Sequence, residues 1–125
     1  MCMKIEVSNG EIIDKLTILR IKSERIKDED KLRNVIKEYD VLKDQASAIL
    51  SQDDPLYKAL YDINNELWDI EDNIRELERK KDFGNEFIET ARSVYFKNDK
   101  RAEIKRDINI KTSSGFIEEK SYGKY

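Results

Sequence analysis

Two pairs of carboxylates stand one helical turn apart in this chain, Glu66 with Asp69 and Glu86 with Glu89. Carboxylates at that spacing share a helix face, and two facing pairs can hold a Mg²⁺ ion. Helices rich in Glu and Asp also produce the spacing by chance. Glu86 and Glu89 equally suit the positive end of a helix. Histidine is absent from the 125 residues, which removes the commonest general base and the commonest transition-metal ligand. The single cysteine, Cys2, can form no internal disulfide and reads as an inert thiol in a terminal arm.

A second constellation is electrostatic. Residues 53–78 hold nine acidic residues against Lys58 and Arg75, whereas 97–111 hold six basic residues against three acidic ones. Within the latter stretch, Asn98, Arg101 and Lys105 continue the helical frame of Phe87, Ala91 and Val94. Polar groups on an apolar seam must find partners or water. Inter-helix ion pairs that fix register would satisfy them, each worth ~0.2–1 kcal/mol where exposed. The functional alternative is a polar cleft between the third and fourth helices beside Trp68. It would be lined by Asp69, Asp72 and Arg75 on one side and by Arg92, Asn98, Arg101 and Arg106 on the other. Arginines there would take a small anionic ligand through bidentate hydrogen bonds.

These residues require helices to position them, and the spacing of apolar residues supplies four. Leu56, Leu60, Ile63, Leu67, Ile70, Ile74 and Leu77 alternate by four and three, a heptad seam that predicts a helix over 55–81 with coiled-coil character. One position further round lies the row Tyr57, Tyr61 and Trp68, which reads as core or oligomer interface more readily than as a stacking platform. The breadth of this apolar arc marks the helix as the centre of a bundle. Ser8 with Glu11 fits a capping box and opens a helix over 9–27. Asp28 or Asp30 caps a second over 30–50, patterned by Leu32, Val35, Tyr39, Leu42, Ala46 and Ile49. Asp54-Pro55 opens the third, and Asn85 is expected to cap the fourth, over 86–110. Gly84 is the expected left-handed residue past the end of the third helix, and Thr112-Ser113-Ser114-Gly115 closes the fourth.

Composition agrees with this architecture. Charged residues make up 41% of the chain and hydrophobic ones 38%, with one proline and four glycines, the profile of long solvated helices. An all-α antiparallel bundle in a single domain follows, with short extended termini available to pair and a tail over 112–125 loosely docked. The net charge of −3 lacks the basic footprint of nucleic-acid binding. No apolar run reaches the ~18–20 residues of a membrane span, and no secretory leader is evident, so a cytoplasmic protein without a membrane partner is expected.

The stretches VSNGEIIDKLTILRIKSERI, LWDIEDNIRE, DFGNEFIETARSVYFKNDKRAEIKRDIN and EEKSY together resemble a small bacterial and phage family, domain of unknown function 6165, over nearly the whole chain. The resemblance implies no activity. It adds weight to Glu11, Asp14 and Lys15, to Trp68, Asp69, Asp72 and Arg75, and to Arg92, Asn98, Asp99, Arg101 and Arg106. The carboxylate pairs are in turn similar to those of MazG-type nucleotide pyrophosphohydrolases, which would make Glu66, Asp69, Glu86 and Glu89 metal ligands. The expectation is instead a non-enzymatic helical protein without a cofactor. It would act by homo-oligomeric assembly, as a dimer or trimer, or by binding a small anionic ligand.

Overall fold

The computed structural model describes residues 2–125 and contains four helices: α1 (Asn9–Arg25), α2 (Glu29–Ile49), α3 (Pro55–Arg79) and α4 (Asn85–Lys111). Each lies within two residues of its expected bounds, and the protein is an all-α bundle. Three starts are capped as the sequence dictates. Ser8 Oγ accepts from the Glu11 backbone N–H, a carboxylate oxygen of Asp28 from that of Lys31, and Asp54 from that of Leu56. The capping box itself is incomplete, because the Glu11 carboxylate is drawn across to Lys105 on α4 at 2.7 Å.

The remaining caps differ from expectation. Asn85 is the first residue of α4, not its cap, and the capping position falls on Gly84 without a side-chain bond. Gly84 is not left-handed: Lys81 takes the positive φ of 56° after α3, and Ser113 takes 53° after α4. Each closes a Schellman pair. Asp82 N–H reaches Leu77 C=O and Lys81 N–H reaches Glu78 C=O, and Ser114 N–H and Ser113 N–H repeat the pattern onto Asn109 and Ile110. The backbone bonds outweigh the modest cost of a left-handed non-glycine residue.

α1, not α3, is the organising element. It is the one helix that packs on all three others among the described residues. α3 and α4 form an antiparallel hairpin, as the pairs Asp54–Lys111, Glu66–Lys97 and Asn73–Thr90 show. α2 runs along α1, with Lys15 and Glu38 joined at 3.0 Å, and its end joins the shared core. The main core lies where the first half of α1, the end of α2, the first half of α3 and the last turns of α4 converge: Ile13, Leu16, Ala46, Leu50, Tyr57, Leu60, Ile63, Ile104 and Ile108. A heptad seam on α3 does not make it central, because α3 packs on α1 and α4, whereas α1 packs on every other helix among the described residues.

At the crossing of α1 and α4 the backbones nearly touch. A Cβ on Gly10 would stand 2.4 Å from the Lys105 carbonyl oxygen, so glycine is the residue that permits this approach. Gly10 N–H donates to Asn109 Oδ1 at 2.6 Å, while Asn9 donates to Ser114 and Thr112. The donors at the start of α1 are thus satisfied by the end of α4. The extended termini do not pair with each other, and neither forms a strand among the described residues. The tail instead returns along α4, placing Glu118 on Lys105, Glu119 on Arg106 and Tyr125 between Tyr95, Phe96 and Asp99.

Candidate functional site

The polar groups of the α4 seam find their partners on α1. Arg101 donates from Nε to Asp14 Oδ1 at 3.0 Å and from Nη2 to Oδ2 at 2.5 Å, a two-pronged fork onto a buried carboxylate. Asn64 on α3 donates Nδ2 to the same Oδ1 and to Thr17 Oγ1, both at 2.9 Å, and Thr17 closes back onto the Asp14 carbonyl at 2.7 Å. Three helices are joined through one buried carboxylate. Lys105 stands beside it, with its amine bonded to Glu11 and, at 3.2 Å, to Glu118. Burial disfavours the charge on Lys105, but the surrounding carboxylates of Glu11, Asp14 and Glu118 prevail and hold the amine above its usual range. The hydrogen bond that Arg101 donates to Asp14 outweighs burial in the same way and raises the guanidinium's pKa.

Beside this network a cleft of about 450 Å³ opens toward solvent. α1 supplies its apolar floor with Ile18 and Ile21, and α3 continues it with Leu67 and the indole of Trp68. Asn64, Glu71, Asp72 and Arg75 follow along α3, and α4 closes the far side with Asn98 and Arg101. Of the eight residues read from the sequence as a cleft, the structure brings five together here: Trp68, Asp72, Arg75, Asn98 and Arg101. The cleft is not confined to α3 and α4, since α1 forms part of its lining.

The other three are placed elsewhere. Asp69 turns to Arg25 at 2.6 Å, Arg92 pairs with Glu89 on its own helix at 3.1 Å, and Arg106 takes Glu119 of the tail. Arg25, held by Asp69 and by Asn65, lies 5.8 Å from the Trp68 ring centroid. Its pKa is raised, the Asp69 hydrogen bond outweighing desolvation. The aromatic row divides. Tyr57 is fully buried in the core, Tyr61 donates to Glu24 at 2.5 Å, and Trp68 alone reaches the cleft. The Tyr57 hydroxyl is the one buried side-chain polar atom without a hydrogen-bond partner among the described residues. Burial raises its pKa, with Arg20 acting in the opposite sense.

The carboxylate pairs do not assemble. Glu66 takes Lys97 at 3.0 Å, Asp69 and Glu89 are engaged as above, and Glu86 sits in the first turn of α4. No group of three or more His, Cys, Asp or Glu side chains able to hold a metal ion occurs among the described residues. No helix among the described residues is long and apolar enough to cross a membrane.

Asn64 and Thr17 were missed by the sequence reading. Both occupy core-facing helical positions, Asn64 four residues after Leu60 and Thr17 four after Ile13, and a polar residue at such a position was the available signal.

A short hub helix carrying a buried carboxylate, a two-helix hairpin crossing it and an open cleft at their junction define a small all-α helical-bundle protein. The chain belongs to the family of unknown function DUF6165, whose model matches residues 3–125. No curated protein and no solved structure matches it.

Proposed function

We propose that the protein binds a small molecule through its anionic group in the cleft between α1, α3 and α4. The observation that carries this reading is the state of Arg101. Two of its guanidinium nitrogens are fixed on buried Asp14, while Nη1 has no protein partner among the described residues and the side chain lines the cleft. A guanidinium immobilised by a buried carboxylate has already lost its rotamer freedom, so a second anion binds it with less entropic cost. Asn98, without a side-chain hydrogen bond among the described residues, stands on the same wall and can donate its amide to the same oxygen. The apolar floor and the Trp68 indole accept the body of the ligand.

Trp68 is the only tryptophan in the chain, so its emission reports on the cleft directly. Titration with 4-methylbenzoate and phenyl phosphate should quench or shift that emission and raise the melting temperature. A Kd of roughly 0.01–1 mM, about 4–7 kcal/mol, is the range expected of ligands this size. Asn98→Ala should weaken the response severalfold without altering the fold. No response to either anion at ~10 mM, ten times the weakest Kd in that range, would remove the reading.

Self-association is the second reading, and a specific surface favours it. Met3, Ile5 and Val7 alternate along the extended N-terminal arm with exposures of 87%, 72% and 37%, an unpaired apolar edge that a second copy could cover. Light scattering coupled to size exclusion, repeated on a Met3→Ser, Ile5→Ser variant, decides it. A wild-type monomer across micromolar concentrations would end this reading. A cytoplasmic setting belongs to both.

A further inference from the structure

The cleft contains a second group without a partner, and its charge is opposite to that of Arg101. The Asp72 carboxylate makes neither an ion pair nor a hydrogen bond among the described residues, while its neighbour Glu71 is engaged by Arg75 at 3.3 Å. Asp72 and Arg101 stand on different helices, and the floor between them is apolar, with Leu67 and Trp68 prominent. Two acidic groups (Glu71, Asp72) meet two basic ones (Arg75, Arg101) in the lining, and Asp14 behind Arg101 has Lys105 beside it at 4.0 Å.

A purely anionic ligand would therefore tip this balance negative and lie near the unpaired Asp72 carboxylate. A purely cationic ligand would satisfy Asp72 but bury Arg101 Nη1 and the Asn98 amide without acceptors, and burying unpaired polar groups is costly. A ligand with both charges leaves the balance unchanged and meets each free group with its complement.

We infer that the cleft takes a zwitterion whose carboxylate and ammonium lie at opposite ends of an apolar body, an ω-amino acid with a ring or chain between its charges. This rests on the anion-binding reading above and adds the second recognition point: Arg101 and Asn98 hold the carboxylate, Asp72 holds the ammonium, and Trp68 and Leu67 hold the body. A volume of about 450 Å³ is of the right order for such a molecule.

The test compares molecules of one shape. Calorimetric titration of the full chain with 4-(aminomethyl)benzoate, 4-methylbenzoate and 4-methylbenzylamine separates the two charges, and 3-[4-(aminomethyl)phenyl]propionate supplies a longer spacing. At least one zwitterion should bind about tenfold tighter than either singly charged analogue. Asp72→Asn should reduce that zwitterion to the affinity of 4-methylbenzoate while leaving 4-methylbenzoate unchanged or slightly tighter. If 4-methylbenzoate matches or exceeds both zwitterions, the inference is overturned and simple anion binding stands. If 4-methylbenzylamine binds tightest, or nothing binds, both readings fail. Asp72 is exposed on α3, so its substitution leaves the fold intact, and a circular dichroism melt checks this.

Discussion

Asp14 and Arg101, 87 residues apart, meet in a two-pronged hydrogen-bonded pair in which the carboxylate is 2% exposed and the guanidinium 28%. Removing one partner leaves a buried charge behind. Arg101→Met should therefore cost roughly 3 kcal/mol in urea unfolding, the lower end of the range for broken buried pairs, because Arg101 keeps some access to water. The double variant Asp14→Leu, Arg101→Met should recover much of that loss, since an apolar pair leaves no uncompensated charge. A double variant no more stable than the worse single would show that Asn64, which also donates to the Asp14 carboxylate, sets the cost instead.

Gly10 offers a sharper steric prediction. A methyl group there would meet backbone, not the movable end of a side chain, at 2.4 Å. The α1–α4 crossing must then open, disturbing the hydrogen bond to Asn109 and the register that brings Glu11 and Asp14 to Lys105 and Arg101. Gly10→Ala should destabilise by about 2–4 kcal/mol despite the better helix propensity of alanine. Equal or greater stability on thermal melting would show that the helices are not so close.

Lys81 carries the converse prediction. Its φ of 56° is tolerated because the Schellman bonds demand it, and glycine would adopt it without the Cβ clash. Lys81→Gly should stabilise the protein by about 0.5–1 kcal/mol, and Lys81→Val should destabilise it by at least as much. The pair of melting temperatures, moving in opposite directions, is the check.

The helices were legible from the sequence because apolar spacing, Ser8, Asp28, Asp54 and Pro55 are local signals that tertiary contacts did not override. The hub was not. Periodicity measures how strongly a helix is patterned, and α3 is the most patterned, yet it packs on α1 and α4 while α1 packs on all three others. α1 touches everything while burying Gly10, Asp14 and Thr17, residues a hydrophobic pattern does not count. The cleft was half legible for the same reason. Charge and phase singled out Trp68, Asp72, Arg75, Asn98 and Arg101, yet the basic end of α4 was matched to the acidic face of α3. Only Lys97 and Lys111 make that pairing. Arg101 and Lys105 turn to α1, and Asp14 was visible beforehand only through family resemblance.

Asp54 connects the third helix to pH. Its carboxylate caps α3 and also binds Lys111, and its pKa is lowered first by the Lys111 hydrogen bond and then by the Leu56 amide, against desolvation. A carboxyl depressed in the folded state contributes stability that is fully present above its ordinary value of 3.8 and is lost as pH falls through the lower folded value. Asp54→Asn keeps a cap but not the charge. It should be less stable than wild type by a constant amount above about pH 5, with the gap narrowing below pH ~4. A gap independent of pH down to acid unfolding would assign the whole effect to geometry.

Glu118 links the tail to the cleft. It bonds the buried Lys105 and adds to the negative field at Arg101, and with Asn98 and Arg101 it lines a polar cavity of about 230 Å³ behind the cleft wall. Since Asn98 and Arg101 also line the cleft, an anion bound there feels Glu118 as a repulsive neighbour. Glu118→Gln should tighten 4-methylbenzoate binding about two- to fivefold, less at high salt because Glu118 is partly exposed. The cost in stability should stay below about 1 kcal/mol, because Glu11 still holds Lys105 and the Glu118 carboxylate is screened by solvent. Calorimetry and urea unfolding on one preparation separate the two effects. Weaker binding together with a large loss of stability would mean that the tail holds the α1–α4 seam together instead of competing with the ligand for it.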